Sequence, residues 1–192
     1  MNIYKEVIII MNTRKTILSA LFLGFGLVLP FFTMQIPAVG NMLLPMHIPV
    51  LLCGFICGAP YGAVVGFILP LLRSSLLGTP VMMPVAIAMS VELLFYGMLS
   101  GLLYRRFKNY RFGIYLTLIP TMIIGRIAWG IAEIILFNAL GNSFTWMVFV
   151  TQGFIKAVPG IILQLFLIPV VVARVDKVGM EVLKNDGTSI NN

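Results

Sequence analysis

The chain has 192 residues, of which 60% are hydrophobic and only 10% are charged. Soluble domains have about 45–50% apolar and about 25% charged residues, so this composition excludes a soluble fold and indicates an integral membrane protein. Thirteen lysines and arginines against six acidic residues give a net charge of +7. The basic residues lie between hydrophobic runs and form no stripe interleaved with aromatic residues, which argues against nucleic-acid binding.

Six apolar segments are candidates to cross a bilayer as helices, which takes about 20 residues each. They are predicted at about 16–36, 42–58, 62–78, 81–104, 112–140 and 148–173. The first resembles a signal peptide but lacks a convincing cleavage site, so we expect it to be retained. The predicted fold class is an all-α integral membrane protein with six transmembrane helices. Its predicted parts are an N-terminal cytoplasmic extension (1–12), the six-helix domain (13–174) and a frayed cytoplasmic C-terminal tail (175–192).

The basic residues predict how this bundle is oriented. Six spans place both termini on one side, and only Arg73 is a basic residue of the predicted connections on the other side. Loops rich in lysine and arginine stay in the cytoplasm, so both termini are predicted to be cytoplasmic. The basic residues on that side are Lys5, Arg14, Lys15, the run Arg105–Arg111, Arg174, Lys177 and Lys184.

The stretch LPMHIPVLLCGFICG, residues 44–58, contains the single histidine, His47, and both cysteines, Cys53 and Cys57. A zinc site needs at least three protein ligands, and no second cluster of histidine or cysteine completes one. The two cysteines are four residues apart on one predicted helix and cannot readily form a disulfide, so they are predicted to be inert packing residues. His47 lies at the outer end of the second span, where it either contacts a ligand or anchors the helix at the interface.

Small residues recur at helical spacing in several spans. Thr16, Ala20 and Gly24 form a line on the first span. Such lines let helices approach closely in lipid, so most are predicted to pack within the bundle, while the line on the first span could equally dock a partner membrane protein. The GxxxG pairs are Gly54/Gly58, Gly62/Gly66 and Gly97/Gly101.

Charged residues inside the spans are costly unless they are paired or hydrated. Glu92 lies in the fourth span, and Arg126, Trp129 and Glu133 lie on one face of the fifth. The first interpretation is that Glu92–Arg126 or Glu133–Lys156 are structural pairs that close the bundle. The second is a polar pocket open to the outside, built from spans four to six and covered by the proline-rich first loop. The sixth span adds Gln152 and Lys156 in its outer half and Gln164 deeper.

Several enzymatic signatures are missing from the sequence. It has no Walker A loop, no HExxH pair and no G-x-S-x-G elbow. It also lacks the pair of intramembrane acidic residues that an aspartyl-type protease would need. We therefore predict that the protein is not an enzyme and that it uses no cofactor and no metal.

The segments LPMHIPVLLCGFICGAPYGAVVGFILPLL, AIAMSVELLFYGMLSGLLYRR and GRIAWG resemble the substrate-binding (S) components of energy-coupling factor (ECF) vitamin transporters, over roughly residues 13–174. The last segment is similar to the pantothenate-like branch. The resemblance implies a multi-pass protein of the bacterial cytoplasmic membrane. It also implies a transmembrane coupling (T) subunit, which docks on Thr16, Ala20 and Gly24. Two cytoplasmic ATPases would supply the energy. The S component with bound substrate would topple within the bilayer to release the substrate inside the cell.

The predicted substrate is a vitamin-like small molecule. Pantothenate is favoured by the resemblance, with a cationic heterocycle as the alternative if Glu92 and Glu133 are not neutralised within the bundle. A self-sufficient secondary carrier or channel and a non-transporting scaffold protein remain alternative functions. The residues predicted to contact substrate are His47, Glu92, Arg126, Trp129, Glu133, Gln152 and Lys156.

Overall fold

The computed structural model of the protein describes residues 3–33, 44–141 and 146–188. Within these ranges the chain is helical, with no strand. The α-helices are α1 (Ile3–Thr33), α2 (His47–Cys57), α3 (Ala59–Leu77), α4 (Ile87–Phe107), α5 (Gly113–Ala139), α6 (Trp146–Val150) and α7 (Val158–Thr188). A kinked segment (Met82–Ala86), in which Met83 has extended backbone angles of φ −126° and ψ 129°, precedes α4, and a wider helical turn (Thr151–Ile155) follows α6.

Five helical segments are long and apolar enough to cross a membrane. They confirm the predicted class of an all-α membrane protein. The shorter α2 has 11 residues and rises about 17 Å, whereas the hydrocarbon core of a bilayer is about 30 Å thick. The count of six spans therefore stays a prediction. The five segments are Thr13–Phe32, Ala59–Leu77, Met82–Phe107, Gly113–Ala139 and Val158–Lys177.

The structure differs from the sequence-based expectation at both ends and in the sixth span. Helix α1 begins at Ile3, so most of the predicted extension continues the first span as helix. Helix α7 runs to Thr188, so the tail expected to be frayed from Asp176 is helical over those residues, while its cytoplasmic location stays a prediction. The uninterrupted span predicted at 148–173 is also wrong, because the chain turns at Lys156 and α7 begins at Val158. Pro159 fits this first turn, where a missing N–H costs nothing.

Glycines bring three helices into backbone contact. A Cβ atom added to Gly97 of α4 would lie 2.0 Å from the Gly62 carbonyl oxygen of α3. A Cβ atom added to Gly54 of α2 would lie 2.4 Å from the Gly97 oxygen. Only glycine permits such approaches, so packing within the bundle is confirmed for these residues. Gly58 has a φ of +99° and no neighbour within 4 Å of an added Cβ, and it serves the turn between α2 and α3.

A chain of side-chain contacts identifies one end of the bundle. The Cys53 thiol of α2 donates to Ser19 Oγ of α1 over 3.6 Å. The rings of Phe55 and Tyr104 pack edge to face with centroids 4.9 Å apart, and the Tyr104 hydroxyl donates to the Asp176 carboxylate. These contacts bring the middle of α1 and of α7 together with the C-terminal parts of α2 and α4. We call this the basic end, since it carries Arg14, Lys15, Arg105, Arg106, Lys108, Arg111, Arg174 and Lys177.

Arg73 lies near the opposite end of the bundle. Its Nε donates to the carbonyl oxygen of Thr79 over 3.0 Å, and its guanidinium carbon lies 5.9 Å from the ring centroid of Phe31, near the end of α1. The side chain is buried. The contacts agree with the predicted grouping of basic residues at one end, while the assignment of that end to the cytoplasm stays a prediction. Residues 37–41 of the proline-rich first loop lie outside the described ranges.

Candidate functional site

Glu92 is the centre of a buried group of three ionisable side chains from three helices. Its Oε1 lies 3.0 Å from Nη1 of Arg126 on α5 and 3.3 Å from Nε2 of His47 on α2. The exposed fractions of Glu92, His47 and Arg126 are 1%, 1% and 5%. The predicted Glu92–Arg126 pair is thus confirmed. The alternative that His47 anchors α2 at the membrane interface is wrong, because the imidazole is enclosed by the bundle beside the Glu92 carboxylate.

Tyr96 holds this group in place one turn along α4 from Glu92. Its ring packs edge to face on the His47 imidazole, with centroids 5.1 Å apart and an interplanar angle of 89°. Its hydroxyl donates to the carbonyl oxygen of Met122 on α5 over 3.4 Å. A Cβ atom at Gly125 would lie 2.6 Å from the Tyr96 ring, so the missing side chain allows α5 to approach this closely. The tyrosine therefore fixes the rotation of α5 that presents the next residue, Arg126.

An aromatic pair adjoins the charged group. The Trp129 and Phe149 rings stack with centroids 6.0 Å apart and an interplanar angle of 21°. The Arg126 guanidinium carbon lies 5.9 Å from the Trp129 ring, within the range of a cation–π interaction. Gly130 permits the stack, since a Cβ atom there would lie 2.3 Å from the Phe149 ring. Arg126 and Trp129, both predicted from the sequence, thus lie beside Phe149, which the sequence did not assign to the site.

Glu133 continues this face of α5 and is 3% exposed. It lies one helical turn beyond Trp129 on the same face of α5. The predicted Glu133–Lys156 pair is wrong: Lys156 is exposed at the turn before α7 and forms no ion pair within 3–33, 44–141 and 146–188. The structure therefore gathers His47, Glu92, Arg126, Trp129 and Glu133 and leaves Lys156 apart. The side chain of Gln152 lies outside the described part, so its predicted contact stays untested.

Several buried polar atoms lack a hydrogen-bond partner in the part of the chain that the structure describes. They include Nδ1 of His47, Nε and Nη2 of Arg126, Oε2 of Glu133, Oγ1 of Thr121 and both amide atoms of Gln164. Buried polar groups are nearly always hydrogen-bonded, and an unmet one costs about 1–3 kcal/mol. Unmet donors and acceptors within one helical bundle are what a polar ligand satisfies when it binds.

Gln164 was not among the residues predicted to contact substrate. Helices α4 and α7 both run toward the basic end, where Tyr104 meets Asp176. Glu92 and Gln164 each precede that contact by twelve residues, or about 18 Å of helix, which places them at a similar depth. The signal in the sequence is an amide inside the apolar run GIILQLFLIP, and it is weaker than a charge.

The line of small residues on α1 lies on the surface. Thr16, Ala20 and Gly24 are all exposed, and a Cβ atom at Gly24 would meet no atom within 4 Å. None of the three belongs to the buried core of the bundle. The line is thus accessible to lipid or to another membrane protein.

The cysteines do not take part in the site. Cys53 and Cys57 are free thiols, 0% and 2% exposed, on the same helix. Over the residues that the structure describes, no three histidine, cysteine or acidic side chains come together as metal ligands. The site is built from ion-pairing and aromatic side chains.

Comparison with models of protein families places these features in a known group. Residues 14–172 match the family described as ECF transporter, substrate-specific component. No curated protein and no solved structure matched the chain. The family match covers more than half of the chain and includes every residue of the buried charged group. The protein therefore belongs to the family of substrate-specific components of ECF transporters.

Proposed function

We propose that the protein is the membrane-embedded, high-affinity substrate-binding subunit of an ECF-type importer for a vitamin or related micronutrient. Members of the family are transport subunits rather than enzymes, which sets the class of the activity. The observation that carries the proposal is the Arg126 side chain. Its Nη1 pairs with Glu92, while Nε and Nη2 are buried and lack a partner in the described chain.

The buried N–H groups of Arg126 that lack a partner in the described chain favour a substrate with an anionic or strongly accepting group. Glu92 and Arg126 neutralise each other, and His47 adds either no charge or a positive one. The remaining guanidinium N–H groups suit a carboxylate, which they can bind through two hydrogen bonds. A cationic heterocycle stays the alternative substrate, because Glu133 has no ion-pair partner among the described residues, whereas Glu92 is paired with Arg126.

The rest of the site suits an uncharged, partly polar substrate body. Trp129 and Phe149 offer an aromatic surface, and Oε2 of Glu133 can accept a hydrogen bond from a hydroxyl or amide group. The Gln164 amide can donate one hydrogen bond and accept another. Pantothenate has a carboxylate, an amide and two hydroxyl groups, so it remains the favoured substrate.

The proposal includes partners that supply energy and transmit motion. The sequence has no Walker A loop, so ATP hydrolysis would be carried out by two separate ATPase subunits. The exposed line Thr16, Ala20 and Gly24 supports docking of a T subunit on α1, because small side chains allow close helix contact in lipid. The proposed location is the bacterial cytoplasmic membrane.

The test combines ligand identification with uptake. The protein is purified in detergent, the small molecules it retains are identified by mass spectrometry, and pantothenate binding is measured by isothermal titration. We expect a retained carboxylate-containing molecule, and uptake in cells only when the T subunit and active ATPases are co-expressed. Uptake without the ATPases would indicate a self-sufficient carrier. A protein that retains and binds nothing would indicate a scaffold.

A further inference from the structure

A second feature lies at the start of α5, on the outside of the bundle and away from the charged site. A groove of about 380 Å³ is lined by Phe112, Tyr115, Leu116, Ile119 and Pro120. These residues follow helical spacing and face outward on one side of α5. Pro120 has no N–H to donate to the Leu116 carbonyl, which leaves a notch in the helix surface. The groove belongs to a helix long and apolar enough to span the membrane, so hydrocarbon is its natural neighbour.

Four cations lie just before this groove along the chain, in the last turn of α4 and in the connection that leads into α5. They are exposed, and within the described ranges no carboxylate pairs with any of them. The Arg111 guanidinium carbon lies 5.9 Å from the ring centroid of Phe112, the first residue of the groove. The aromatic rings of Tyr110 and Phe112 are 63% and 62% exposed, as is typical of side chains at the headgroup level. The four cations are Arg105, Arg106, Lys108 and Arg111.

We propose that the groove and these cations form a binding site for one anionic phospholipid. An acyl chain lies along Leu116, Ile119 and Pro120, and the phosphate is held by Arg111 and Lys108. Charge complementarity selects an anionic headgroup, since the cations have no acidic partner in the described chain. The apolar groove selects a lipid over an acidic protein, because a cytoplasmic protein reaches only the cations and leaves the groove empty. The inference is independent of the proposed substrate.

The headgroup is tested by native mass spectrometry of the detergent-purified protein with added phosphatidylglycerol or phosphatidylcholine. We expect one tightly bound phosphatidylglycerol and at least tenfold weaker binding in the double variant Lys108→Gln/Arg111→Gln. The matched control Arg174→Gln/Lys177→Gln removes the same charge at the same end, and we expect it to change binding less than twofold. Equal losses in the two double variants, or equal binding of the two lipids by the native protein, would overturn the proposal.

The acyl chain is tested with a variant that keeps every charge. Ile119→Trp fills the groove, and we expect it to weaken phosphatidylglycerol binding at least tenfold. Ile131→Trp, at an exposed site further along α5, is the control and should leave binding within twofold. Glycerol 1-phosphate should not displace the lipid. Displacement by it, or full binding by Ile119→Trp, would show that the site recognises a free phosphate or the headgroup alone and would refute the acyl groove.

Discussion

Glu92 and Arg126 form an ion pair across the interface of α4 and α5, with Oε1 and Nη1 3.0 Å apart. Their exposed fractions are 1% and 5%, so little water screens the interaction. The same carboxylate oxygen lies 3.3 Å from His47 Nε2. Glu92 therefore connects three helices and compensates the buried charge of Arg126. A change at this residue should affect both the stability of the bundle and the candidate substrate site.

Glu92→Gln should strongly destabilise the protein, because it leaves the Arg126 guanidinium buried without a counter-ion. Loss of one partner of a buried pair typically costs about 3–5 kcal/mol. Thermal unfolding of the ligand-free protein in detergent measures the effect. Asp176→Asn is the control, since it removes an acidic group at an exposed site and keeps an oxygen that can accept from the Tyr104 hydroxyl, so about 0–1 kcal/mol is expected. Equal losses in the two variants would show that the Glu92–Arg126 pair contributes little.

Arg126→Lys should separate binding from stability. Lysine keeps a positive charge opposite Glu92 but lacks the planar group whose Nε and Nη2 are available to a substrate. We expect a melting temperature close to that of the native protein and at least tenfold weaker binding of the compound that co-purifies with it. Isothermal titration and a melting curve on the same preparation measure the two quantities. Unchanged affinity would remove Arg126 from the substrate site and leave it a structural residue.

The sequence predicted where each helix lies along the chain better than it predicted which side chains of different helices contact each other. The predicted span at 112–140 agrees with Gly113–Ala139, because hydropathy and breaking residues fix where a helix lies along the chain. The prediction for His47 left two alternatives open, since hydropathy gives no information on which helix faces a residue. The break at Lys156 was missed because the residues before it are as apolar as those after it. The buried amide of Gln164 is hard to assign from sequence, because an amide in an apolar run is a weaker signal than a charge.

Ala20→Trp should block coupling while leaving the substrate site intact. Ala20 is exposed on α1, so a bulky side chain there disturbs no core contact but holds a partner helix away. We expect normal substrate binding, loss of uptake and loss of co-purification with the T subunit. The control is Ile162→Trp, which adds the same group at an exposed position of α7. A T subunit that still co-purifies with Ala20→Trp would place the docking surface elsewhere.

Gly97→Ala should be poorly tolerated, because the added Cβ would lie 2.0 Å from the backbone oxygen of Gly62. Overpacking of this kind typically costs about 1–3 kcal/mol, and two backbones have few ways to yield. Thermal unfolding and yield from the membrane measure the loss. Gly24→Ala is the matched control, since a Cβ there meets no atom within 4 Å. If the two variants melt at the same temperature, the crossing is looser than these distances imply.

The cytoplasmic position of the basic end can be tested by cysteine labelling. Cys53 and Cys57 are buried free thiols, so a Cys53→Ser/Cys57→Ser background should fold and bind substrate nearly normally. In that background Lys108→Cys should react with a membrane-impermeant maleimide in inside-out vesicles and not in intact cells. Val81→Cys, an exposed position near the opposite end, should show the reverse pattern. Labelling of residue 108 from outside intact cells would reverse the proposed orientation.

The backbone contacts at Gly54, Gly62 and Gly97 also bear on how the protein can move. Side chains accommodate displacement by changing rotamer, but where backbone meets backbone there is no such freedom. Helices α2, α3 and α4 should therefore behave as one rigid block that carries His47 and Glu92. The rearrangements that admit and release a substrate would then fall to α5, α6 and α7. Helix α5 meets this block through the Glu92–Arg126 ion pair and the Tyr96 hydroxyl, and α7 meets it through the hydrogen bond from Tyr104 to Asp176. Breaking and re-forming these polar contacts would let α5, α6 and α7 move while α2, α3 and α4 keep their packing.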